Sequence, residues 1–453
     1  MKNKLFTAGF FSAMLPLAIP IALQNLLTTS FRLVDTLMIG RLGDASLAAV
    51  GLAGNISFIV ELIGFGLASG SAVFMAQYHG AGNDSGIRRS LGSALVVLFP
   101  ITLTITMLAF LFPEQLMSIT TNSDVSIAEG SRYLRTACFS YLGVALGLIM
   151  SIVLRSIENV RLPMIASGIS AVTNAALNYI FIFGKLGMPA MGVAGAGLAT
   201  SISSLLNPGI MLIGSLIGRN VLYAPISDFF KIGAFFPQYI RRVLPVMFNE
   251  MLWSMSIVGM NLVFGRMGDE NYAALTVFRT VENISQVLII GICNSCNILI
   301  GMRIGAGRIE EGKDMAGQFL LFTPIIGLVI GVGVLLMRGP ILSLFELSPI
   351  ALGTAMNLLA AFSFLVILQN IPYLTVVGIF RAGGDTKTGL YGDALTSYLL
   401  MLPTAVICGL WLKLPFVLTY VITVLVDNGF KTLFYLPHYF SMKWIKPIEQ
   451  QNR

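Results

Sequence analysis

The stretch Val34-Asp35-Thr36-Leu37-Met38-Ile39-Gly40-Arg41-Leu42-Gly43-Asp44 closes one long apolar run and opens the next, and its second half is written again further along the chain. A shift of 225 residues sets Gly40-Arg41-Leu42-Gly43-Asp44 on Gly265-Arg266-Met267-Gly268-Asp269 and Pro20 on Pro245. The same shift sets Ala48-Ala49 on Ala273-Ala274 and Gly80-Ala81-Gly82 on Gly305-Ala306-Gly307. One further residue of offset sets Arg155 on Arg381. Agreement in fixed register over tens of residues marks an internal duplication rather than shared composition.

The runs flanking these motifs decide what is duplicated. A bilayer core of about 30 Å takes roughly 20 mostly apolar residues per helix. Twelve runs of that kind lie near 11–38, 48–77, 91–112, 131–154, 164–184, 193–217, 243–265, 272–301, 317–338, 353–380, 389–411 and 415–436. They are too long, and alternate too little, for the strands of a barrel. Of the 453 residues, 56% are apolar and 11% charged, where a soluble protein carries about 25% charged residues. So few charges could not coat the soluble domains that this length would otherwise make.

The expected fold class is therefore all-α integral membrane, with twelve transmembrane helices in two six-helix bundles. Six spans per half is an even number, so both halves enter and leave on one side and a pseudo-two-fold axis runs along the membrane normal. The expected division is a bundle at 1–217, a charged cytoplasmic linker at 218–242 and a bundle at 243–453 with a short cytoplasmic tail. Two such bundles facing one another across a cleft suit an alternating-access carrier better than a channel, which more often assembles from identical subunits.

Orientation follows from the cations, because Lys and Arg in short loops stay cytoplasmic. Lys2, Lys4, Arg88, Arg89, Arg155, Arg219, Lys231, Arg303, Arg381, Lys387, Lys431, Lys446 and Arg453 are among those that fall on the side of the N-terminus. Only Arg41, Arg132, Arg135, Lys185, Arg266, Arg338 and Lys413 fall on the other. Both termini are expected in the cytoplasm, with the chain in the cell (inner) membrane. Phe10 to Leu27 is read as a retained first span, since no small-residue cleavage site follows it.

The net charge of +7 and pI near 9.2 do not indicate nucleic-acid binding, because no basic stripe interleaved with aromatics occurs. Four cysteines make no disulfide framework. Cys293 and Cys296 form a mid-helix C-x-x-C without a second ligand pair and are read as packing residues. No phosphate-binding loop of the Walker type is present, so neither ATP hydrolysis nor an ATPase subunit is implied. The 22 Met and 30 Phe would suit an adaptable pocket for apolar cations, though most face lipid.

A carboxylate at the centre of a span costs about 2.5 to 3.5 kcal/mol on insertion scales, so each one is a candidate for function. The embedded acids are Asp35, Glu61, Glu250, Glu282 and Asp393, with Asp427 near the last span's end; Arg32 and Arg279 are embedded cations. Gln24, Thr28 and Asp35 share a helix face, Asn174 and Asn178 lie one turn apart, and Thr200 opens a polar stripe with Ser203, Ser204 and Asn207. Oxygens converging on one carboxylate suit a hard cation such as sodium, and the same carboxyl could instead take a proton. The structural alternative is an Arg32–Asp35 ion pair at i, i+3.

Glu250, five residues after Pro245, is read as a substrate or proton group, or as a carboxylate capping backbone broken at that proline. Glu61, Asn370, Asp393 and Gln24 are further substrate or proton candidates, with Glu61 expected against Arg32 or Arg279. Arg279 and Glu282 are expected to neutralise one another. Asp385 is expected to order its Gly-rich loop, and Asp393 is left open between structure and transport.

Together these motifs resemble the multidrug and toxic compound extrusion (MATE) family. The resemblance rests on Val34 to Gly43 with Leu47-Ala48-Ala49-Val50-Gly51, on Ala76-Gln77-Tyr78-His79-Gly80-Ala81-Gly82, on Asn174 to Gly184 with Gly192 to Thr200, and on Arg381-Ala382-Gly383-Gly384-Asp385-Thr386-Lys387. It implies an antiporter, not an enzyme, that exports amphipathic, often cationic drugs in exchange for sodium or protons. It also implies that Asp35, Asn174, Asn178 and Thr200 form the first-half cation site, with Asn178 where one branch has a second Asp. Sodium-coupled members carry acids in the seventh and tenth spans, at places held here by Trp253 and Asn370. No other cofactor is implied, and the protein is expected to act as a monomer in the bilayer. The alternatives are a lipid-linked oligosaccharide flippase, which would want a cationic cleft, and an intramembrane transferase. The transferase would want an Asp-rich or His-rich metal motif, yet the two histidines, His79 and His438, lie at span ends.

Overall fold

The computed structural model describes residue 6 and residues 8–345 and 347–448. Lys2, Lys4 and Arg453, three of the cations used for orientation, lie outside the described residues. Fifteen helical segments follow in chain order. They are α1 (Ala8–Gly40), α2 (Asp44–Gly80), α3 (Asp84–Leu111), α4 (Pro113–Thr120), α5 (Asp124–Ala137), α6 (Ser140–Ser156), α7 (Arg161–Phe183), α8 (Val193–Ile217), α9 (Ile226–Phe229), α10 (Phe235–Gly265), α11 (Asp269–Gly305), α12 (Ile309–Leu342), α13 (Pro349–Gly383), α14 (Lys387–Trp411) and α15 (Phe416–Phe440). Among the described residues no strand forms beyond one bridge between Gly384 and Ile445.

Eleven of these helices are long and apolar enough to cross a bilayer, and α5 with α6, bent by 50° at their junction, make a twelfth span. Each of the twelve apolar runs in the sequence thus finds its helix. On α12 the exposed side chains Leu321, Ile325, Leu328, Val332 and Leu336 recur at helical spacing, the outward stripe of a span whose solvent is lipid. The starts are less legible than the middles: α10 begins at Phe235, inside the charged 218–242 stretch, because Phe235 and Tyr239 are buried there.

Packing groups the chain into two compact units. One holds residues 1–22, 76–82 and 242–453, and the other 23–75 and 83–241. The second unit keeps the linker against α3: Arg88 Nε donates to the Val221 carbonyl at 3.0 Å, and Arg88 Nη1 lies 4.0 Å from Asp228 Oδ2. In the first unit the tail is docked on the α13–α14 loop. Trp444 is fully buried, and the Lys446 amide donates to the Gly383 carbonyl at 2.7 Å. Gln77 ties both, giving Nε2 to the Ala382 carbonyl and accepting from the Ile448 amide.

Pro16, Pro20 and Pro245 do not break their helices. α1 runs through Pro16 and Pro20, and α10 through Pro245. The departures from α geometry lie in the second half instead, as π turns at Leu374–Phe380 in α13 and at Ser397–Met401 and Ile407–Trp411 in α14. Such turns leave an extra residue per loop and re-aim the side chains that follow, often at functional sites.

Candidate cation site

Asp35 sits on α1 one turn before Ile39, which is fully buried among Ala53, Tyr133, Ala137 and Ala196. Small residues at these contacts let the backbones of α2, α5 and α8 close in. Gly197 on α8 is the tightest: a Cβ there would overlap Thr136 Oγ1. This approach brings Thr200 beside Tyr133, and Tyr133 within electrostatic reach of Asp35.

From α7, Asn178 Nδ2 donates to Asp35 Oδ1 at 2.7 Å and to Asn174 Oδ1 at 3.1 Å. Asn174 Nδ2 donates to Ser203 Oγ at 3.2 Å, and Ser203 Oγ to the Thr200 carbonyl at 3.1 Å. A carboxylate only accepts, so the amide NH2 of Asn178 must face Asp35. The Asn178 oxygen is then left buried with no hydrogen-bond partner. Asp35, Asn174, Asn178 and Thr200 are therefore neighbours, and an unfilled amide oxygen stands beside a carboxylate. That is a donor set for a hard monovalent cation or a proton. Among the described residues no group of His, Cys, Asp or Glu could hold a transition metal, and all four cysteines are buried and free.

Sequence reasoning missed Tyr133, which fell inside the run at 131–154 but had no spacing that linked it to Asp35.

Several other candidates find different partners from those expected. Gln24 does not join Asp35. Its Oε1 accepts from Arg155 Nη2 at 2.7 Å, and its Nε2 reaches Ser167 Oγ at 2.9 Å and Ser151 Oγ at 3.3 Å. Thr28 is spent inside α1, on the Gln24 carbonyl. Glu61 does meet one of its two expected partners, Arg32, at 2.7 Å, while Asp35 is held from α7 by Asn178 and makes no ion pair with Arg32.

In the other unit Glu250 does not cap broken backbone, since α10 is continuous there. Arg381 Nη2 holds it at 2.7 Å, with both side chains buried. Arg155, Arg381 and Lys431, counted among the cytoplasmic-side cations from the sequence, are thus engaged inside the helical bundles, each with its head group on a partner there. Asn370 is buried, while Trp253 is half exposed. Arg279 and Glu282 make no ion pair within contact distance; Arg279 acts on Glu282 only through its field. Asp393 meets Lys431 and Tyr435. Asp385 does order its loop, taking Lys446 Nζ at 2.9 Å, His438 Nε2 at 2.7 Å and Thr388 Oγ1 at 2.7 Å.

The chain matches the MatE family model over residues 20–180 and 245–407, one match in each repeat. It is 24% identical to the probable multidrug resistance protein NorM of Thermotoga maritima, over 96% of this chain and 93% of that one. It is 23% identical to the multidrug resistance protein MdtK of Pectobacterium atrosepticum, over 87% of this chain and 86% of that one. Among solved structures it superposes with a TM-score of 0.85 on a MATE protein crystallised in complex with MaL6, at 20% identity, covering 97% of this chain and all of that one. A repeat of multi-pass helices, an ionisable polar cluster within one half and a family model spanning both halves converge: this chain belongs to the MatE family and is a membrane transporter, not an enzyme.

Proposed function

We propose that the protein is a cation-coupled antiporter that exports amphipathic, often cationic drugs by alternating access. The observation that carries this reading is the Asp35–Asn178 contact with its unfilled Asn178 oxygen. Asp35 and that oxygen, with Asn174 and Thr200, receive a sodium ion or a proton moving inward down its gradient. Coupling requires only that the cation and the drug favour different states of the carrier, or compete for one site. The names of the relatives from Thermotoga and Pectobacterium support a drug as the exported species. The cation-rich ends of the spans face the cytoplasm in this reading, and the two repeats, 1–217 and 243–453, are the bodies that rock.

The test is efflux from proteoliposomes under an imposed sodium or proton gradient, each applied alone. One of the two drives export by the wild type. Asp35→Asn keeps its thermal unfolding transition and loses gradient-driven export; full export by that variant overturns the assignment.

A further inference from the structure

We infer that Asp393, Asp427 and Lys431 form a proton-binding centre, in addition to the Asp35 site. Asp427 and Lys431 lie one turn apart on α15, with Lys431 Nζ 2.9 Å from Asp427 Oδ2 and 3.5 Å from Asp393 Oδ1 on α14. Tyr435, a turn further on, donates its hydroxyl to Asp393 Oδ1 at 2.8 Å. Asp427 and Lys431 are each 7% exposed.

Two carboxylates and one ammonium leave a net charge of −1 in the interior. Among the described residues the surroundings do not offset it. Arg381, the nearby cation that acts on Tyr435, is already paired with Glu250. The stretch of α13 from Pro349 to Tyr373, which packs against α15, carries no charged residue. Tyr435 brings Asp393 only a neutral hydroxyl, and the Thr396 hydroxyl is spent on the Gly392 carbonyl at 2.9 Å. Asp427 Oδ1 is moreover buried with no hydrogen-bond partner. An interior carboxylate with an unfilled lone pair and surplus negative charge around it changes protonation rather than remain ionised.

A metal ion is the poorer occupant, because the Lys431 ammonium already sits between the two acids and would repel it. A proton needs one lone pair. An O–H bond forms at Asp427 Oδ1 with a proton drawn from water, and a neutral acid beside a balanced Asp393–Lys431 pair remains.

The repeat shows that the architecture does not require these charges. At the shift of 226 that relates Arg155 to Arg381, Asp393, Asp427 and Lys431 correspond to Ser167, Ser201 and Leu205. The first bundle packs without any of them. The π turn Ser397–Met401 begins right after Thr396, so the backbone is also irregular at this centre. The centre lies apart in sequence from Trp253 and Asn370, the second-half positions to which the family resemblance assigns acids. A role for this proton in transport rests on the coupled-carrier reading above; its binding does not.

The test is infrared difference spectroscopy of the full-length protein in lipid, titrated with pH and compared with variants. A protonated-carboxyl band that titrates in the wild type and in Asp35→Asn is lost in Asp427→Asn. Lys431→Met, which strips the counter-charge, enlarges that band and supplies the answer if Asp427→Asn does not fold. Bands unchanged in both variants overturn the proposal. Because the spectrum needs no transport, its failure is distinguishable from a failure of the antiport reading, which shows as absent efflux in the wild type.

Discussion

Gly80 and Gly305, 225 residues apart, make the same contact twice. A Cβ on Gly80 would overlap the backbone carbonyl of Met302, and a Cβ on Gly305 would overlap that of Gln77, itself 225 residues before Met302. The ends of α2 and α11 thus cross reciprocally, backbone on backbone, in the way a two-fold-related pair must. No side chain fits at either position while this crossing is kept. Gly80→Val or Gly305→Val is expected to destabilise the crossed arrangement by about 1–3 kcal/mol, the usual cost of overpacking. Thermal unfolding of the purified variants checks this, with Gly54→Ala, which has open space around it, as the unaffected control.

Arg155, on Gln24, and its repeat mate Arg381, on Glu250, each reach back across 131 residues of sequence. In the second half the arginine is neutralised; in the first it meets an amide, and its Nε is buried without a partner. Removing the acid from a buried pair costs about 3–5 kcal/mol. Glu250→Gln should therefore lower the midpoint of thermal unfolding strongly. Gln24→Glu should be tolerated or raise it, because it supplies the first arginine with the counter-ion that its repeat mate has. Equal losses from both changes would show that the two contacts are not equivalent.

Asn178 gives Asp35 its hydrogen bond. A hydrogen bond to a charged group contributes about 1.5–3 kcal/mol, so Asn178→Leu is expected to weaken ion-dependent export by roughly tenfold or more with folding retained. Efflux rates measured against the imposed ion gradient decide it. A rate equal to the wild type would remove Asn178 from the site.

Asp385 links pH to the docked tail. Burial works to raise its pKa, but hydrogen bonds from Lys446, Thr388 and His438 and the charge of Lys446 outweigh burial and hold the carboxyl below its ordinary value. A depressed folded-state pKa means stabilisation that is present above the unfolded value of 3.8 and lost as pH falls through the folded one. Hydrogen exchange of residues 441–448 should stay slow at neutral pH and rise only in strong acid. Asp385→Asn should make it fast at every pH; a tail that remains protected in that variant would show that Trp444 alone holds it.

How much was legible follows from the range of the forces. Each apolar run could be placed because span length is set by bilayer thickness, a local property of about 20 consecutive residues. The repeat was legible because Gly40-Arg41-Leu42-Gly43-Asp44 and its copy are colinear strings. Asp35, Asn174, Asn178 and Thr200 could be grouped because their helical spacing and the family resemblance agreed. Tyr133 was not visible as a site residue, since it lies in a different span from Asp35 and only packing brings the two together.

The sequence by itself determined that this chain is a twelve-span, twice-written membrane protein, because hydrophobic length and colinear repetition need no folding to be read. Tertiary structure alone decided most of the charge partners: Arg381 with Glu250, Lys431 with Asp393 and Asp427, and, among the described residues, Arg155 with no acid. The physical reason is that a charge in a low-dielectric interior is governed by whichever group lies within a few ångströms of it. In a helical bundle that group usually comes from another helix, far along the chain.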